Sequence, residues 1–146
     1  MIDAQGIEKV IPHRGFMRLV DEIRECTDKT AVGVKYVRDD EFWCAGHFPG
    51  KPVMPGVLII EALAQTACFA VLNSCGNNDG KTLGYFVSIE NARFTQMVVP
   101  GDTLELHIEE IAAKMTLHKF VGNAFVNGKR VASATFSAIM DCNSKI

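Results

Sequence analysis

The chain has 146 residues, a formal net charge of −2 and 22% charged residues. This length and composition are those of one ordinary globular domain, so we expect a single domain over residues 1–146. Lysine and arginine are scattered and form no basic stripe, which argues against a nucleic-acid-binding protein. The N-terminus does not resemble a signal peptide, and Glu61 and Gln65 interrupt the longest apolar stretch. We therefore expect a cytoplasmic protein that does not span a membrane.

The sequence contains five cysteines, an odd number that includes no Cys-x-x-Cys pair. This pattern favours reduced, mostly buried thiols over disulfides or a zinc site. Cys44 lies three residues before His47, but this spacing alone gives little support for a cysteine nucleophile.

Hydrophobic periodicity predicts a short helix, a strand, a long helix and then four more strands. The short helix should run from about Asp3 to Val10, and the first strand over Lys29–Arg38. A loop rich in Gly and Pro, residues 46–56, then leads into a long helix over Val57–Asn73. The later strands are predicted over Thr82–Ile89, Thr103–Ile111, Met115–Val126 and Lys129–Asp141.

The order of these elements predicts an α+β fold with an antiparallel sheet, because the strands run together and the long helix is segregated. Asn127-Gly128 separates the last two strands and favours a tight type I′ hairpin turn. The long helix is apolar almost all round, so it must be covered on most sides. A curved sheet wrapped around a long central helix, the hot-dog fold, is the simplest arrangement that covers it.

Glu61 and Gln65 interrupt the apolar run of this helix, and their spacing of four places them on one side of it. A buried carboxylate is costly unless it is paired or neutralised, and burial raises its pKa. The helix alone leaves two interpretations open. Glu61 is either a catalytic group or a structural carboxylate bonded to backbone or to an arginine.

The loop before the helix adds further candidates for chemistry. Three prolines and three glycines between Gly46 and Gly56 fix its path, and His47 lies within it. A neutral imidazole is a suitable base, although a lone loop histidine is more often structural. The amide of Gly56 lies at the start of the helix. An N–H in this position can stabilise negative charge on an oxygen bound there. His47, the Gly56 amide and a protonated Glu61 would thus serve proton removal beside a carbonyl, and the helix would line a tunnel for an acyl chain.

Residues 46–65 read Gly-His-Phe-Pro-Gly-Lys-Pro-Val-Met-Pro-Gly-Val-Leu-Ile-Ile-Glu-Ala-Leu-Ala-Gln and resemble the signature of the Z-type β-hydroxyacyl-acyl carrier protein dehydratases of fatty acid synthesis. Residues 11–14, Ile-Pro-His-Arg, resemble that family too, as do residues 92–94 and 98–102. The resemblance implies conversion of a (3R)-hydroxyacyl thioester on acyl carrier protein to the trans-2-enoyl thioester. It implies a hot-dog homodimer, often assembled as a hexameric trimer of dimers, with no metal or organic cofactor.

The same resemblance implies a role for each site residue. His47 would be the base, Glu61 the acid contributed by the partner subunit, and Gly56 would offer its amide to the thioester carbonyl. A glutamate rather than an aspartate at position 61 favours dehydration without isomerisation. Residues 15–21 and 115–120 depart from the pattern that is usual in this family. These departures bear on the length of the acyl chain and the choice of carrier, so a related polyketide or polyene pathway is an alternative to fatty acid synthesis.

The sequence is also compatible with other functions, and further residues are candidates for supporting roles. The alternatives are a hot-dog thioesterase, an enoyl-thioester hydratase or a non-catalytic carrier-binding subunit. His13 is expected to order the N-terminal loop, and His107 and His118 to lie on the surface. Arg93 and then Lys51 are the first candidates for docking an acidic carrier protein.

Overall fold

The computed structural model describes residues 1–146 except for the side chain of Ser144. The chain opens with helix α1, Ala4–Glu8, where the Asp3 side chain accepts a hydrogen bond from the Gly6 amide and caps the helix. The predicted N-terminal helix is thus confirmed, in a shorter form. A single 3₁₀ turn follows at Gly15–Met17.

Six strands form one antiparallel sheet in the order β1-β2-β4-β5-β6-β3. All five predicted strands are present, and several extend beyond their predicted ends. The strand bounds are β1 Glu22–Cys26, β2 Thr30–Tyr36, β3 Thr82–Phe94, β4 Thr103–Lys114, β5 Leu117–Val126 and β6 Lys129–Lys145.

The sequence-based order was wrong at β1, since two strands rather than one precede the long helix. Within Glu22–Cys26 only Ile23 is buried, so this edge strand shows no clear alternation. The hairpin turn of Asn127 and Gly128 is confirmed, because these residues have φ angles of 51° and 75°.

The long helix α2 spans Gly56–Ser74 and packs against β2, β4, β5 and β6. It lies so close to the sheet that a Cβ added at Gly33 of β2 would come within 2.5 Å of the Thr66 hydroxyl. Buried alanines on β6, including Ala132 and Ala134, allow the same close approach. Helix α2 is long and apolar enough to cross a membrane. However, 67% of its apolar stretch is buried inside the protein, as expected for the core helix of a soluble protein. The predicted hot-dog arrangement is confirmed.

Candidate active site

His47 lies in a loop that is held by hydrogen bonds of the main chain. Its amide donates to the Trp43 carbonyl at 2.9 Å, and the Val53 amide donates to the His47 carbonyl at 2.7 Å. The Met54 amide donates to the Val98 carbonyl at 2.7 Å and thereby ties the loop to the segment after β3. The loop predicted to position a reactive group is therefore anchored at several points along its length.

The side chain of His47 has a defined proton position. Its Nδ1 lies 2.7 Å from the Val53 carbonyl oxygen. A carbonyl can only accept, so in the neutral ring Nδ1 carries the hydrogen and Nε2 presents a lone pair. The ring of Phe48 stacks on the imidazole with 4.2 Å between centroids. This is the state required of a general base.

The amide of Gly56 is available at the start of α2. Pro55 is the N-cap residue of α2, and the Leu58 amide donates to its carbonyl at 2.9 Å. The first amides of a helix lack acceptors within the helix, so the Gly56 N–H is free to bind an oxygen. A Cβ at position 56 would lie 2.7 Å from the Phe94 ring, which explains the glycine.

His47 and Gly56 line the same open groove, of about 490 Å³. Exposed apolar side chains form much of its wall, among them Val57, Phe94 and Met97. An apolar groove that contains a base and a helix-start amide is suited to a thioester whose carbonyl oxygen gains charge.

Glu61 lies in a different place, in a small cavity of about 40 Å³ between α2, β3 and β6. Its side chain is 25% exposed. Burial raises the pKa of Glu61, an effect partly offset by Gln65, whose Nε2 donates to Oε2 at 3.0 Å. A raised pKa favours the protonated acid over the carboxylate. The rest of the cavity is largely apolar and includes Ala64, Cys68, Phe86, Ala138 and Met140.

Gln65 also joins the N-terminal segment to α2. Its Oε1 accepts from the Leu19 amide at 2.8 Å, and its Nε2 donates to the Met17 carbonyl at 2.7 Å. Gln65 is buried, as is its bond to Leu19, so these contacts fix where the N-terminal segment lies. They bring His13 to within 3.7 Å of Glu61, measured from Nε2 to Oε2.

The structure therefore brings two of the three predicted site residues together within one chain. His47 and Gly56 share a groove, whereas Glu61 shares a second cavity with His13. Sequence reasoning gave His13 only a role in loop order and did not pair it with Glu61. The one feature of the sequence that pointed to His13 was its place in Pro12-His13-Arg14, which resembles the dehydratase family.

The two remaining histidines behave differently from each other. His107 is 43% exposed, as predicted for a surface residue. The prediction was wrong for His118, which is only 15% exposed, lies 3.0 Å from Glu110 and stacks on Phe120. Among the side chains that the structure describes, no three His, Cys, Asp or Glu groups converge as metal ligands.

Comparison with known proteins gives the family. The model of the FabA-like domain matches residues 11–135. The 3-hydroxyacyl-[acyl-carrier-protein] dehydratase FabZ of Acetivibrio thermocellus is 47% identical over 147 residues, which cover 99% of this chain and 99% of that protein. The FabZ of Acidiphilium cryptum is 44% identical over 142 residues, 96% of this chain and 86% of that protein.

Solved structures agree on the fold. The dehydratase heterocomplex ApeI:P from Xenorhabdus doucetiae superposes with a TM-score of 0.81 at 15% identity, over 96% of this chain and 93% of that one. At this identity the likeness concerns the fold alone. Sequence identity to the two enzymes and the family match carry the assignment: the chain belongs to the FabA-like family and, within it, to the FabZ-type dehydratases.

Proposed function

We propose that this chain dehydrates a (3R)-3-hydroxyacyl thioester on acyl carrier protein to the trans-2-enoyl thioester, in fatty acid biosynthesis. Relatives that match almost its full length carry the name of this activity. The observation that carries the chemistry is the hydrogen bond of 2.7 Å from His47 Nδ1 to Val53, since it leaves Nε2 as a base in the groove.

His47 performs the first half of the proposed reaction. Its Nε2 takes a proton from the α carbon of the substrate, and the electron pair of that C–H bond moves toward the thioester carbonyl. The Gly56 amide stabilises the negative charge on the carbonyl oxygen because the start of α2 offers an unpaired N–H there. When substrate fills this open groove, its acyl chain and the apolar wall at Phe94 and Met97 keep water from the carbonyl oxygen and so strengthen this interaction.

Glu61 performs the second half of the proposed reaction. Burial raises the pKa of its carboxyl group and so favours the protonated form, whose proton passes to the β-hydroxyl as the C–O bond breaks and the α,β double bond forms. Water leaves, and exchange with solvent returns a proton to Glu61 and removes one from His47. No metal or organic cofactor is required in this sequence of steps.

We further propose that the active unit is a homodimer in which Glu61 of one subunit meets His47 of the other. Within one chain these residues line separate cavities. β3 lies at the edge of the sheet, and its alternating Leu83, Tyr85, Val87 and Ile89 are between 41% and 58% exposed. A long, apolar edge strand of this kind calls for a partner strand. Assembly of such dimers into a hexamer is part of the proposal, as is a cytoplasmic location.

The thioesterase and hydratase alternatives, and a non-catalytic subunit, are less well supported, since the relatives that match almost the full chain are named as dehydratases. A thioesterase has no use for an acid beside the β carbon, whereas the raised pKa of Glu61 supplies one. A non-catalytic subunit would not require His47 and Glu61 to be intact, and both are present.

Incubation with a 3-hydroxyacyl thioester tests the function. We expect enoyl absorbance to rise with no release of free thiol, because the C–O bond breaks and the thioester survives. Free thiol without enoyl product would instead indicate a thioesterase and would overturn the proposal. Repeating the assay with carrier-bound substrates of increasing length then defines the chain length and the pathway.

A further inference from the structure

The backbone around His13 is held in place independently of the catalytic groups. Ile11 is fully buried, and the Arg14 guanidinium donates to the carbonyl groups of Ile11 at 2.8 Å and His13 at 2.9 Å. A further bond of 2.7 Å joins Arg14 to the Glu8 carbonyl at the end of α1. His13 therefore projects from a fixed turn rather than from a loose N-terminal arm.

The imidazole of His13 points one nitrogen at Glu61 and leaves the other without a partner. Its Nε2 lies 3.7 Å from Glu61 Oε2, and both side chains line the same cavity. Its Nδ1 is buried with no hydrogen-bond partner among the described residues. Burial, and secondarily Arg14, lower the pKa of His13 and so favour the neutral ring. With one hydrogen on the ring, Nε2–H is the tautomer that finds an acceptor.

The two oxygens of Glu61 are then in different environments. Gln65 donates to Oε2 at 3.0 Å, and a His13 Nε2–H approaches the same oxygen. Hydrogen bonds to Oε2 place the acidic proton on Oε1, which is the oxygen left for the substrate. A contact of 3.7 Å is long for a hydrogen bond, but catalytic hydrogen bonds commonly tighten when substrate binds.

We propose that His13 is a positioning residue for the acid: as a donor to Oε2, it holds the Glu61 carboxyl with its transferable proton on Oε1, directed at the leaving hydroxyl. This inference rests on the proposed dehydration. In this proposal His13 does not contact the reacting atoms. Its role differs from ordering the N-terminal loop, because His13 affects the ionisation of Glu61.

Few other groups near Glu61 are able to affect that ionisation. Cys68 on α2 has a pKa of about 12 because it is buried, so its thiol stays neutral. Tyr85 of β3 lines the cavity, and among the described side chains β6 contributes Ala138 and Met140. In the proposed dimer, His47 of the partner subunit is a further titratable group near Glu61. All of these are unchanged when His13 alone is substituted.

Two amide substitutions at His13 separate positioning from packing. Glutamine places its amide nitrogen where Nε2 lies, whereas asparagine places its nitrogen where Nδ1 lies and cannot reach Glu61. We expect His13→Asn to lower kcat by about tenfold with little change in KM, and His13→Gln to restore most of the loss. Loss of a donor to the ionised carboxylate raises the pKa of Glu61, so the alkaline limb of the rate profile moves to higher pH in His13→Asn only.

The readout that does not depend on turnover is the carboxyl ¹³C resonance of Glu61, assigned by its absence in Glu61→Gln. Its titration midpoint should rise in His13→Asn and stay near the wild-type value in His13→Gln. His107→Asn, which removes a surface histidine 3.2 Å from Glu105, serves as the control and should move neither readout. An unmoved midpoint in His13→Asn, or equal shifts in both His13 variants, would overturn the proposal. If the wild type fails to dehydrate hydroxyacyl thioesters, the proposed function is wrong, while the titration still decides the role of His13.

Discussion

The Val53 carbonyl oxygen accepts a hydrogen bond of 2.7 Å from Nδ1 of His47, six positions earlier in the same loop. The Val53 amide returns a bond of 2.7 Å to the His47 carbonyl, so the two residues bind each other through side chain and main chain. The proposed base is thus oriented by a main-chain carbonyl of its own loop. The two side chains proposed to transfer protons therefore line separate cavities, His47 in one and Glu61 in the other.

Loss of His47, the proposed base, should abolish most turnover while the loop stays intact. His47→Asn retains a side-chain N–H at the position of Nδ1, so it can still donate to Val53, but it has no basic nitrogen. We expect kcat/KM for a 3-hydroxyacyl thioester to fall by about a hundredfold or more. His107→Asn on the sheet surface is the matched control. A rate within a few-fold of wild type in a folded His47→Asn protein would remove His47 from the mechanism.

Glu61, the proposed acid, should reduce the stability of the folded protein at high pH. Burial raises the pKa of Glu61 in the folded protein, so folding is favoured by this group below its unfolded pKa, and that contribution is lost as the pH rises through the folded pKa. Glu61→Gln stays neutral and still accepts from Gln65. We expect the variant to melt at a higher temperature than wild type at about pH 8, with the difference vanishing toward about pH 4. Melting curves at equal protein concentration test this, and a wild type that is more stable at the higher pH would contradict it.

Carrier docking should depend on Arg93. It is exposed on β3 next to Phe94, which lines the groove of His47 and Gly56. Because the chain carries a net charge of −2, attraction of an acidic carrier requires local positive charge. Arg93→Glu should weaken turnover of carrier-bound substrate, most clearly at low salt, and leave a small thioester unaffected.

A matched charge reversal separates docking from net charge. Lys29→Glu lies in the exposed β1–β2 turn and changes the net charge equally. It should affect neither substrate. Equal losses on both substrates in Arg93→Glu would place Arg93 in the fold or the active site instead. Lys51, which is exposed in the loop of His47, is the second residue to test in the same way.

The main fold elements were predictable because their patterns are strong. Helix α2 has an apolar surface nearly all round, and Asn127-Gly128 fits only a few turns. β1 was not predictable, since a single buried residue, Ile23, gives no periodicity. The true end of β3 at Phe94 was also hidden, because a register shift between Glu90 and Arg93 interrupts the alternation after Ile89.

The site was predictable residue by residue but not as an arrangement. His47, Gly56 and Glu61 lie in one continuous block of sequence, yet a single chain places Glu61 in a separate cavity. The position of His13 depends on long-range bonds from Gln65 to the backbone of the N-terminal segment. Local patterns contain no information on such contacts, so the pairing of His13 with Glu61 emerged only from the structure.

Complementation between two inactive variants tests the central claim most directly. In a mixed dimer of His47→Asn and Glu61→Gln chains, one site has both substitutions and the other has wild-type His47 and Glu61 from opposite subunits. After subunit exchange half of the dimers are mixed, so we expect recovery of about a quarter of wild-type dehydration activity. A mixture of His47→Asn with His47→Ala, exchanged in the same way, should recover none. Activity that stays at the level of the separate variants after verified exchange would contradict a dehydratase site shared between subunits.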